Sequence, residues 1–376
     1  MKIDKFEAEY WLNPLDPIAK YNLGSSCCKP VTVNEMLELT GTDRDWFYKE
    51  LDSMSLHYGY FEGMPRLKKA IKNLYTDVVT ENMILSVHGG SGANSILCHS
   101  LCETGHNVVS IIPNYQQFYS IPESLGIEVR KAVSDESIEY SINMDEVKKL
   151  VDKNTSMINL ANPNNPTGYT LSKNELEELV EVARSVDAYL VIDEIYRGLS
   201  DDKYQYSVVD LYEKGICTFG TSKVFSCAGA RIGWIITRDM DIFDTIHNYR
   251  SYSSICEGSI NELITALIVE KSDVFLNRNK EIVDTGRAEL NKWIDTQPHL
   301  KLACDSTASI SLVLYDFDIP AKEFATNLFE KTQTLVCHGG CFGIEKSFRI
   351  GYGFGDVDYL KKGLAEIGKF VSELQI

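Results

Sequence analysis

Lys223 stands in an apolar stretch of the chain, directly after the hydroxyl residues Thr221 and Ser222 and eight positions before Arg231. A lysine amine can form a Schiff base with a carbonyl compound, and it can also accept a proton as a general base. Hydroxyl and guanidinium groups nearby are donors for an anion such as a phosphate. This spacing indicates a site where the Lys223 amine reacts beside a bound anionic ligand.

A glycine-rich stretch, SVHGGSGANSI (86–96), separates a predicted strand from a predicted helix. Backbone N–H groups at a helix N-terminus can hold a phosphate, so Ser91 and Gly92 are candidate phosphate contacts. Two catalytic or cofactor motifs also fit in part. A dinucleotide fingerprint would have Ser95 in place of its third glycine, and a serine-hydrolase elbow centred on Ser91 would have Ala93 in place of its last glycine. All three interpretations stay open at this point.

Two polar residues follow predicted strands, where parallel sheets expose their ligand-binding groups. Asn165 lies in NLANPNNPTG (159–168), and Asp193 ends an apolar run in AYLVIDEIY (188–196). A buried carboxylate such as Asp193 needs a cationic partner or strong hydrogen bonds. Pyridoxal 5'-phosphate (PLP) needs a lysine for a Schiff base, an acid for its ring nitrogen and donors for its phosphate, and these residues together suit it.

Short apolar runs alternate with helical patterns between about residues 60 and 235. Ser172 and Glu175 form a capping pattern before one helical stretch, KNELEELVEVARSVD (173–187). Strands alternating with helices predict an α/β fold with a mainly parallel sheet. The strand candidates are MILSV (83–87), HNVVSIIP (106–113), SMINLANP (156–163), AYLVIDEIY (188–196), CTFG (217–220) and RIGWIIT (231–237).

The last hundred residues have a different pattern, with a long polar helix predicted near 272–295 and a final helix near 356–373. Apolar runs and one further helical stretch lie between them, which predicts a smaller α+β domain. We therefore expect a large PLP-binding α/β domain over residues 46–279. A small α+β domain would be formed by residues 1–45 and 280–376.

The composition excludes several classes of protein. The 37 lysines and arginines stand against 54 aspartates and glutamates, and the net charge of -17 would repel the phosphates of nucleic acids. No apolar run approaches the ~18–20 residues of a membrane span, and no secretory signal is apparent, so a cytoplasmic protein without a membrane partner is expected. The ten cysteines include no CxxC pair, which favours reduced thiols and predicts no metal site.

With these residues assembled, the chain resembles the class I/II aminotransferases, which are fold-type I PLP enzymes. The resemblance covers nearly the whole chain and implies that Lys223 is the Schiff-base lysine and the general acid/base. It implies that Asp193 pairs with the ring nitrogen of the cofactor, and that Asn165 and Tyr196 hydrogen-bond its phenolic oxygen. Tyr115, in PNYQQFY, stands where the family stacks an aromatic ring on the cofactor.

The resemblance also assigns contacts to the cofactor phosphate. Tyr58 matches a tyrosine that the family lends to the phosphate of the neighbouring subunit, so a homodimer is implied. Family members usually have a hydroxyl residue three positions before the lysine, where this chain has Gly220. Either Thr221 reaches the phosphate instead, or one phosphate contact is missing. The implied phosphate contacts within the chain are Ser91, Gly92, Thr221, Ser222 and Arg231.

Two residues are implied in binding the α-carboxylate of an amino acid substrate. Arg349, in SFRIGYG, stands where the family binds this carboxylate, and bidentate arginine geometry favours that role. Gly24, in YNLGSS, resembles a backbone donor to the same group. Asn165 is expected to line this part of the site as well.

The choice of reaction depends on contacts with the substrate, because the cofactor supports several reactions. YNLGSSCCKPVTVNEML (21–37) and GGCFGIEKSFRIGYGF (339–354) resemble the capreomycidine synthase-like arginine cyclases. That resemblance implies dehydration and cyclisation of a hydroxylated arginine to a cyclic guanidino amino acid of the capreomycidine or enduracididine type. Glu9 is a candidate carboxylate for the guanidinium group. The alternative is a conventional aminotransferase. Two further alternatives are a hydrolase, which would need a reactive Ser91, and a non-catalytic binding protein, which would turn over no amino acid.

Overall fold

The computed structural model describes residues 2–200 and 206–374. Its helices are α1 (Glu7–Leu15), α2 (Val33–Thr40), α3 (Arg44–Ser53), α4 (Pro65–Lys72), α5 (Gly89–Leu101), α6 (Gln117–Ser124), α7 (Met144–Leu150), α8 (Lys173–Ser185), α9 (Val208–Leu211), α10 (Met240–Ser253), α11 (Ser259–Val269), α12 (Ser272–Ile294), α13 (Ala321–Thr332) and α14 (Val357–Ser372). Its strands are β1 (Tyr21–Asn22), β2 (Ile84–Val87), β3 (Asn107–Ile112), β4 (Glu128–Val133), β5 (Thr155–Ala161), β6 (Tyr189–Asp193), β7 (Gly215–Gly220), β8 (Gly233–Thr237), β9 (Leu300–Leu302), β10 (Ile310–Tyr315), β11 (Thr334–Leu335), β12 (Cys337–His338) and β13 (Ser347–Gly351).

A seven-stranded sheet in the order β2-β8-β7-β6-β5-β3-β4 forms the centre of the fold. The strands from β7 to β4 pair in parallel, whereas β8 lies antiparallel between β2 and β7. Its inner strands are buried on both faces because helices cover the sheet, which explains their nearly continuous apolar sequences. The prediction of an α/β fold with a mainly parallel sheet is confirmed, and all six strand candidates contain a strand.

Strand β4 is the one strand of this sheet that the sequence patterns did not predict. It lies at the edge of the sheet and, among the described strands, pairs only with β3. Its sequence, EVRKAV, carries charged side chains and has one buried residue, Ala132. Charged edge strands of this kind discourage pairing with other chains, and they lack the apolar run that marks an inner strand.

The start of α8 follows the predicted capping pattern. The Ser172 hydroxyl accepts a hydrogen bond from the Glu175 backbone N–H at 3.3 Å, and the Glu175 carboxylate accepts one from the Ser172 backbone N–H at 2.8 Å. Leu176, Leu179 and Ala183 are buried on one face of this helix. The prediction for this helix is therefore confirmed.

A second sheet, in the order β12-β13-β10-β9, is antiparallel and belongs to the last third of the chain. The short β1 joins this region by pairing in parallel with β11. The two positions where we predicted a domain boundary, 45/46 and 279/280, lie inside α3 and α12. The division into two domains stays a prediction, and any hinge would have to lie outside those two helices or bend them.

Across residues 2–200 and 206–374, no helix combines the length and the apolar character that crossing a membrane requires.

Candidate functional site

A cavity of about 540 Å³ lies beyond the carboxyl ends of β5, β6 and β7. Most of the residues singled out in the sequence line it, although they come from distant parts of the chain. Tyr58, Gly92 and Thr221 are not among its lining residues. The predicted residues that line the cavity are Glu9, Gly24, Ser91, Tyr115, Asn165, Asp193, Tyr196, Ser222, Lys223, Arg231 and Arg349.

Lys223 lies three residues beyond the end of β7, and its amine is inside the cavity. Lys223 Nζ donates a hydrogen bond to Ser26 Oγ at 2.9 Å and lies 3.6 Å from Cys27 Sγ. Burial lowers the pKa of Lys223, but the nearby Cys27 thiol and Tyr196 hydroxyl raise it, and the pKa lies above its ordinary value. Sequence reasoning missed Ser26 and Cys27 because no short motif connects them to a lysine almost 200 positions later.

Asp193 is the last residue of β6, and its carboxylate is buried beside the cavity. Asp193 Oδ2 accepts a hydrogen bond from Asn94 Nδ2 at 2.9 Å, and Oδ1 accepts one from the Ile195 backbone N–H at 3.1 Å. Burial raises the pKa of Asp193, while these hydrogen bonds and the Lys223 charge work in the opposite direction. The carboxylate is thus placed to receive a positively charged group of a ligand.

Asn94 orients this carboxylate and was not predicted from the sequence. It lies on α5, and its Oδ1 accepts a hydrogen bond from Thr218 Oγ1 at 2.8 Å. Because both the oxygen and the nitrogen of the Asn94 side-chain amide are hydrogen-bonded, its orientation is fixed, and Nδ2 faces Asp193. The available signal was a buried polar residue just after the glycine-rich stretch, which is too common a feature to single out.

Arg349 lies on β13 and forms hydrogen bonds with two other segments of the chain at one side of the cavity. Its Nη1 donates to Asn165 Oδ1 at 2.8 Å, and its Nη2 donates to the Gly24 carbonyl oxygen at 2.7 Å. Its Nε is buried and has no hydrogen-bond partner among the described residues. The Gly24 backbone N–H donates to Asn22 Oδ1 at 3.0 Å, so this predicted donor is engaged within its own loop.

We expect Arg349→Ala to raise KM for the amino acid substrate about 10–100-fold, with a smaller effect on kcat. A hydrogen-bonded charge pair contributes about 1.5–3 kcal/mol, and the loss of carboxylate binding would affect bound substrate and transition state alike. Steady-state kinetics would measure both constants. Arg349→Lys keeps the charge but lacks the bidentate geometry, so its KM should lie between those of the native enzyme and Arg349→Ala. An unchanged KM in a folded Arg349→Ala protein would contradict the carboxylate role.

The donors proposed for a phosphate lie at the N-terminal end of α5 and in the loop after β7. Ser91 lies in the first turn of α5, and Ser222 and Arg231 line the cavity near it. Gly89 adopts a φ of +66°, and a Cβ atom there would lie 2.7 Å from Arg231 Nη2. Glycine at this position therefore lets the guanidinium approach the start of the helix.

The Thr221 hydroxyl lies against backbone carbonyls, and Thr221 does not line the cavity. The fully buried Thr221 hydroxyl lies 3.2 Å from both the Cys227 and the Ile232 carbonyl oxygens, to which it can donate. A Cβ atom on Gly220 would lie 3.2 Å from the Gly90 backbone nitrogen, so this part of the loop packs closely against the start of α5. Of the two alternatives left by the sequence, a missing phosphate contact agrees better with this geometry.

The side of the cavity formed by α1 carries acidic and amide side chains. Glu9 Oε1 accepts a hydrogen bond from the Tyr115 hydroxyl at 3.1 Å, and burial raises the pKa of Tyr115. Asn13 and Asp16 line the same cavity, and Asp16 Oδ1 accepts a hydrogen bond from Asn22 Nδ2. In the described part of the chain, neither Glu9 nor Asp16 forms an ion pair.

The residues around the cavity fit PLP. Lys223 offers an amine, and the buried Asp193 carboxylate calls for a positive partner such as a protonated ring nitrogen. Ser91, Ser222 and Arg231 offer donors for a phosphate. When bound there, the cofactor supplies an electron sink for the bonds at the α-carbon of an amino acid. A lysine and an aspartate at the carboxyl edge of this sheet, with anion donors beside them, define a PLP-dependent enzyme of fold type I.

The chain belongs to the family of class I and II aminotransferases, whose profile matches residues 30–367. It is similar to the solved structure of a PLP-dependent aminotransferase from Streptococcus suis 89-1591, with 34% identity, full coverage of both chains and a TM-score of 0.96. It is 25% identical to the aspartate aminotransferase of Pyrococcus abyssi, over 80% of each chain. The PLP-dependent cyclase OrfR shares the fold at 20% identity, with a TM-score of 0.85 over 98% of both chains. The resemblance to this family, the fold type and the cofactor predicted from the sequence are confirmed.

Proposed function

We propose that this PLP-dependent enzyme dehydrates and cyclises a hydroxylated arginine to a cyclic guanidino amino acid. The observation that carries this proposal is the charge distribution in the cavity, where Arg349 lines the same space as the carboxylates of Glu9 and Asp16, neither of which forms an ion pair with the described residues. An amino acid with a cationic side chain would place its carboxylate at the arginine and its guanidinium at the acidic side. The existence of a cyclase with this fold, OrfR, is compatible with the proposal.

The side chains of this enzyme would divide the work as follows. Arg349 holds the α-carboxylate, and Lys223 takes the proton from the α-carbon. Glu9 and Asp16 hold the guanidinium within reach of the carbon that loses its hydroxyl. After the ring closes, Lys223 returns a proton to the α-carbon. Across the whole reaction, a C–O bond and a guanidine N–H bond break, a C–N bond and a water O–H bond form, and one water leaves, so the reaction needs no second substrate.

The second candidate function is a conventional aminotransferase, and the names of the similar proteins favour it. The Streptococcus suis protein and the Pyrococcus abyssi protein are both described as aminotransferases. The same lysine, aspartate and arginine would serve that reaction, in which the amino group passes to a 2-oxo acid. The acidic side of the cavity would then select a cationic amino acid as the amino donor.

Mass spectrometry of the products separates the two functions. Pure enzyme with PLP would be incubated with hydroxylated arginines, once with a 2-oxo acid and once without it. The cyclase predicts loss of one water without any 2-oxo acid, and this loss should weaken in Glu9→Gln. Replacement of the amino group by oxygen, dependent on the 2-oxo acid, would establish the aminotransferase and overturn the cyclase.

A homodimer and a cytoplasmic location are part of the proposal. Tyr58 does not line the cavity of its own chain, and it is 61% exposed in a loop where Leu56 is 90% exposed. A second copy that covers this loop would bring Tyr58 to the neighbouring phosphate site. The ten cysteines are all free thiols, which suits a reducing compartment.

Coexpression of two impaired chains tests the role of Tyr58. A hybrid of Tyr58→Ala and Lys223→Ala chains would contain one site with both native residues. About half of the dimers would be hybrids, and each hybrid would have one native site out of two. About one quarter of the native activity should therefore return at limiting PLP. Activity no higher than that of Tyr58→Ala dimers alone would contradict the crossing of Tyr58.

A further inference from the structure

The amine of Lys223 is held by a segment from the N-terminal part of the chain, residues 22–28. Within this segment, Ser26 Oγ accepts a hydrogen bond from Lys223 Nζ at 2.9 Å, and Cys27 Sγ lies 3.6 Å from the same nitrogen. Both Ser26 and Cys27 line the cavity. The amine therefore has two acceptors of its own that belong to none of the groups assigned to cofactor or substrate.

The segment that carries these acceptors is fixed on several sides. The Cys28 backbone N–H donates to the Lys223 carbonyl oxygen at 3.2 Å, and the Ser309 hydroxyl donates to the Ser26 carbonyl oxygen at 2.8 Å. A Cβ atom on Gly351 would lie 1.8 Å from the Ser25 carbonyl oxygen, so β13 packs against the segment directly. Because its backbone is anchored to both the lysine loop and the second sheet, the segment can present Ser26 and Cys27 at constant positions.

We propose that Ser26 and Cys27 are positioning residues that hold the Lys223 amine whenever it is not bonded to the cofactor. A free amine in a buried cavity needs acceptors for its protons, particularly when it is charged. The two side chains provide them and keep the nitrogen inside the cavity, where it can take up or return a proton. The proposal concerns the lysine alone, so it holds for a cyclase and for an aminotransferase.

The charge state of the amine depends on all the groups around it. Removal of the Ser26 hydroxyl takes away an acceptor that favours the charged form, so the pKa of Lys223 should fall. The other groups that face or influence the lysine stay in place in that variant. They are Cys27, Cys28, Tyr115, Asp193, Tyr196 and Arg349.

The test is the pH dependence of cofactor attachment, which requires no substrate. Apoprotein would be mixed with PLP, and the rate of covalent attachment to Lys223 would be followed by absorbance between pH 7 and pH 12, because the pKa of Lys223 lies above its ordinary value. Only the neutral amine attacks the cofactor carbonyl. We expect the midpoint of the profile to move down by about one pH unit in Ser26→Ala, because one hydrogen bond to a charged group is lost.

Three variants make the result specific to the hydroxyl. Ser26→Thr keeps the hydroxyl and should restore the native midpoint, and Cys27→Ala should cause a smaller shift because the sulfur is the weaker acceptor. Ser309→Ala loosens the same segment without touching the amine and should leave the midpoint unchanged. If Ser26→Ala fails to fold, Ser26→Cys provides the weakened acceptor. An unchanged midpoint in folded Ser26→Ala, or in Ser26→Cys if it is used instead, would overturn the proposal. A shift in Ser309→Ala equal to that of the Ser26 variant would overturn it as well.

Discussion

Replacement of Lys223 by alanine should abolish covalent cofactor attachment and lower turnover by about 10³-fold or more, since a positioned acid/base group alone contributes about 10²–10⁴-fold. Lys223 is the lysine that lines the cavity in the described part of the chain, and its amine lies among groups that keep it there. PLP should still bind weakly, because Ser91, Ser222 and Arg231 remain. The absorbance of the lysine–cofactor bond and its trapping by borohydride would measure the loss.

The matched control is Lys214, which precedes the same strand, β7, at its other end. Its Nζ forms a surface ion pair with Asp187 at 2.7 Å. Lys214→Ala should therefore retain cofactor attachment and native turnover. After borohydride reduction of the native protein, peptide mass spectrometry should find the cofactor on Lys223. A label on another lysine, or turnover retained in Lys223→Ala, would refute the assignment of the reactive amine.

Replacement of Asp193 by alanine should lower the rate of proton removal from the substrate α-carbon by about 10²–10³-fold, which is typical for loss of one preorganised electrostatic group. With PLP bound, the Asp193 carboxylate would stabilise a positive charge on the ring nitrogen, and the electron-sink chemistry of the cofactor would depend on that charge. Because Lys223 is unchanged, covalent attachment of the cofactor should persist. Mass spectrometry would follow exchange of the α-proton for deuterium in heavy water.

Asp193→Asn separates the charge from the shape of the side chain. Asparagine can occupy the same space beside Asn94 but cannot balance a positive ring, so its rate should also fall. Asp187→Asn, at the exposed beginning of the segment that leads into β6, is the matched control and should exchange at the native rate. Native exchange in Asp193→Asn would show that the carboxylate charge has no part in the reaction.

The sequence was most informative where a functional residue is next to a strand end or a glycine-rich turn. Lys223, Asp193 and Asn165 each follow an apolar run, and the sheet brings such ends to one edge. Strand ends and glycine turns are local patterns, so a single sequence can reveal them. The fold class could be predicted for the same reason, since alternation of strands and helices is visible along the chain.

Contacts between distant segments could not be predicted in this way. Asn94 becomes important only because α5 lies against the end of β6, and Ser26 only because its loop reaches the lysine. Thr221 was a reasonable phosphate contact by position, yet its hydroxyl lies against backbone carbonyls. Such outcomes depend on the direction of a side chain, which neighbouring elements determine and local sequence does not.

The first helix has a consequence for how this enzyme could acquire new substrates. Residues 6–16 supply the lining residues Phe6, Glu9, Asn13 and Asp16, whereas the reactive lysine and its partner aspartate come from the central sheet. In the proposed function, recognition of the substrate side chain and the chemistry at the α-carbon would therefore be encoded in separate parts of the gene. Substitutions within this one short segment could redirect the enzyme to a different amino acid while the residues that carry out the reaction stay the same.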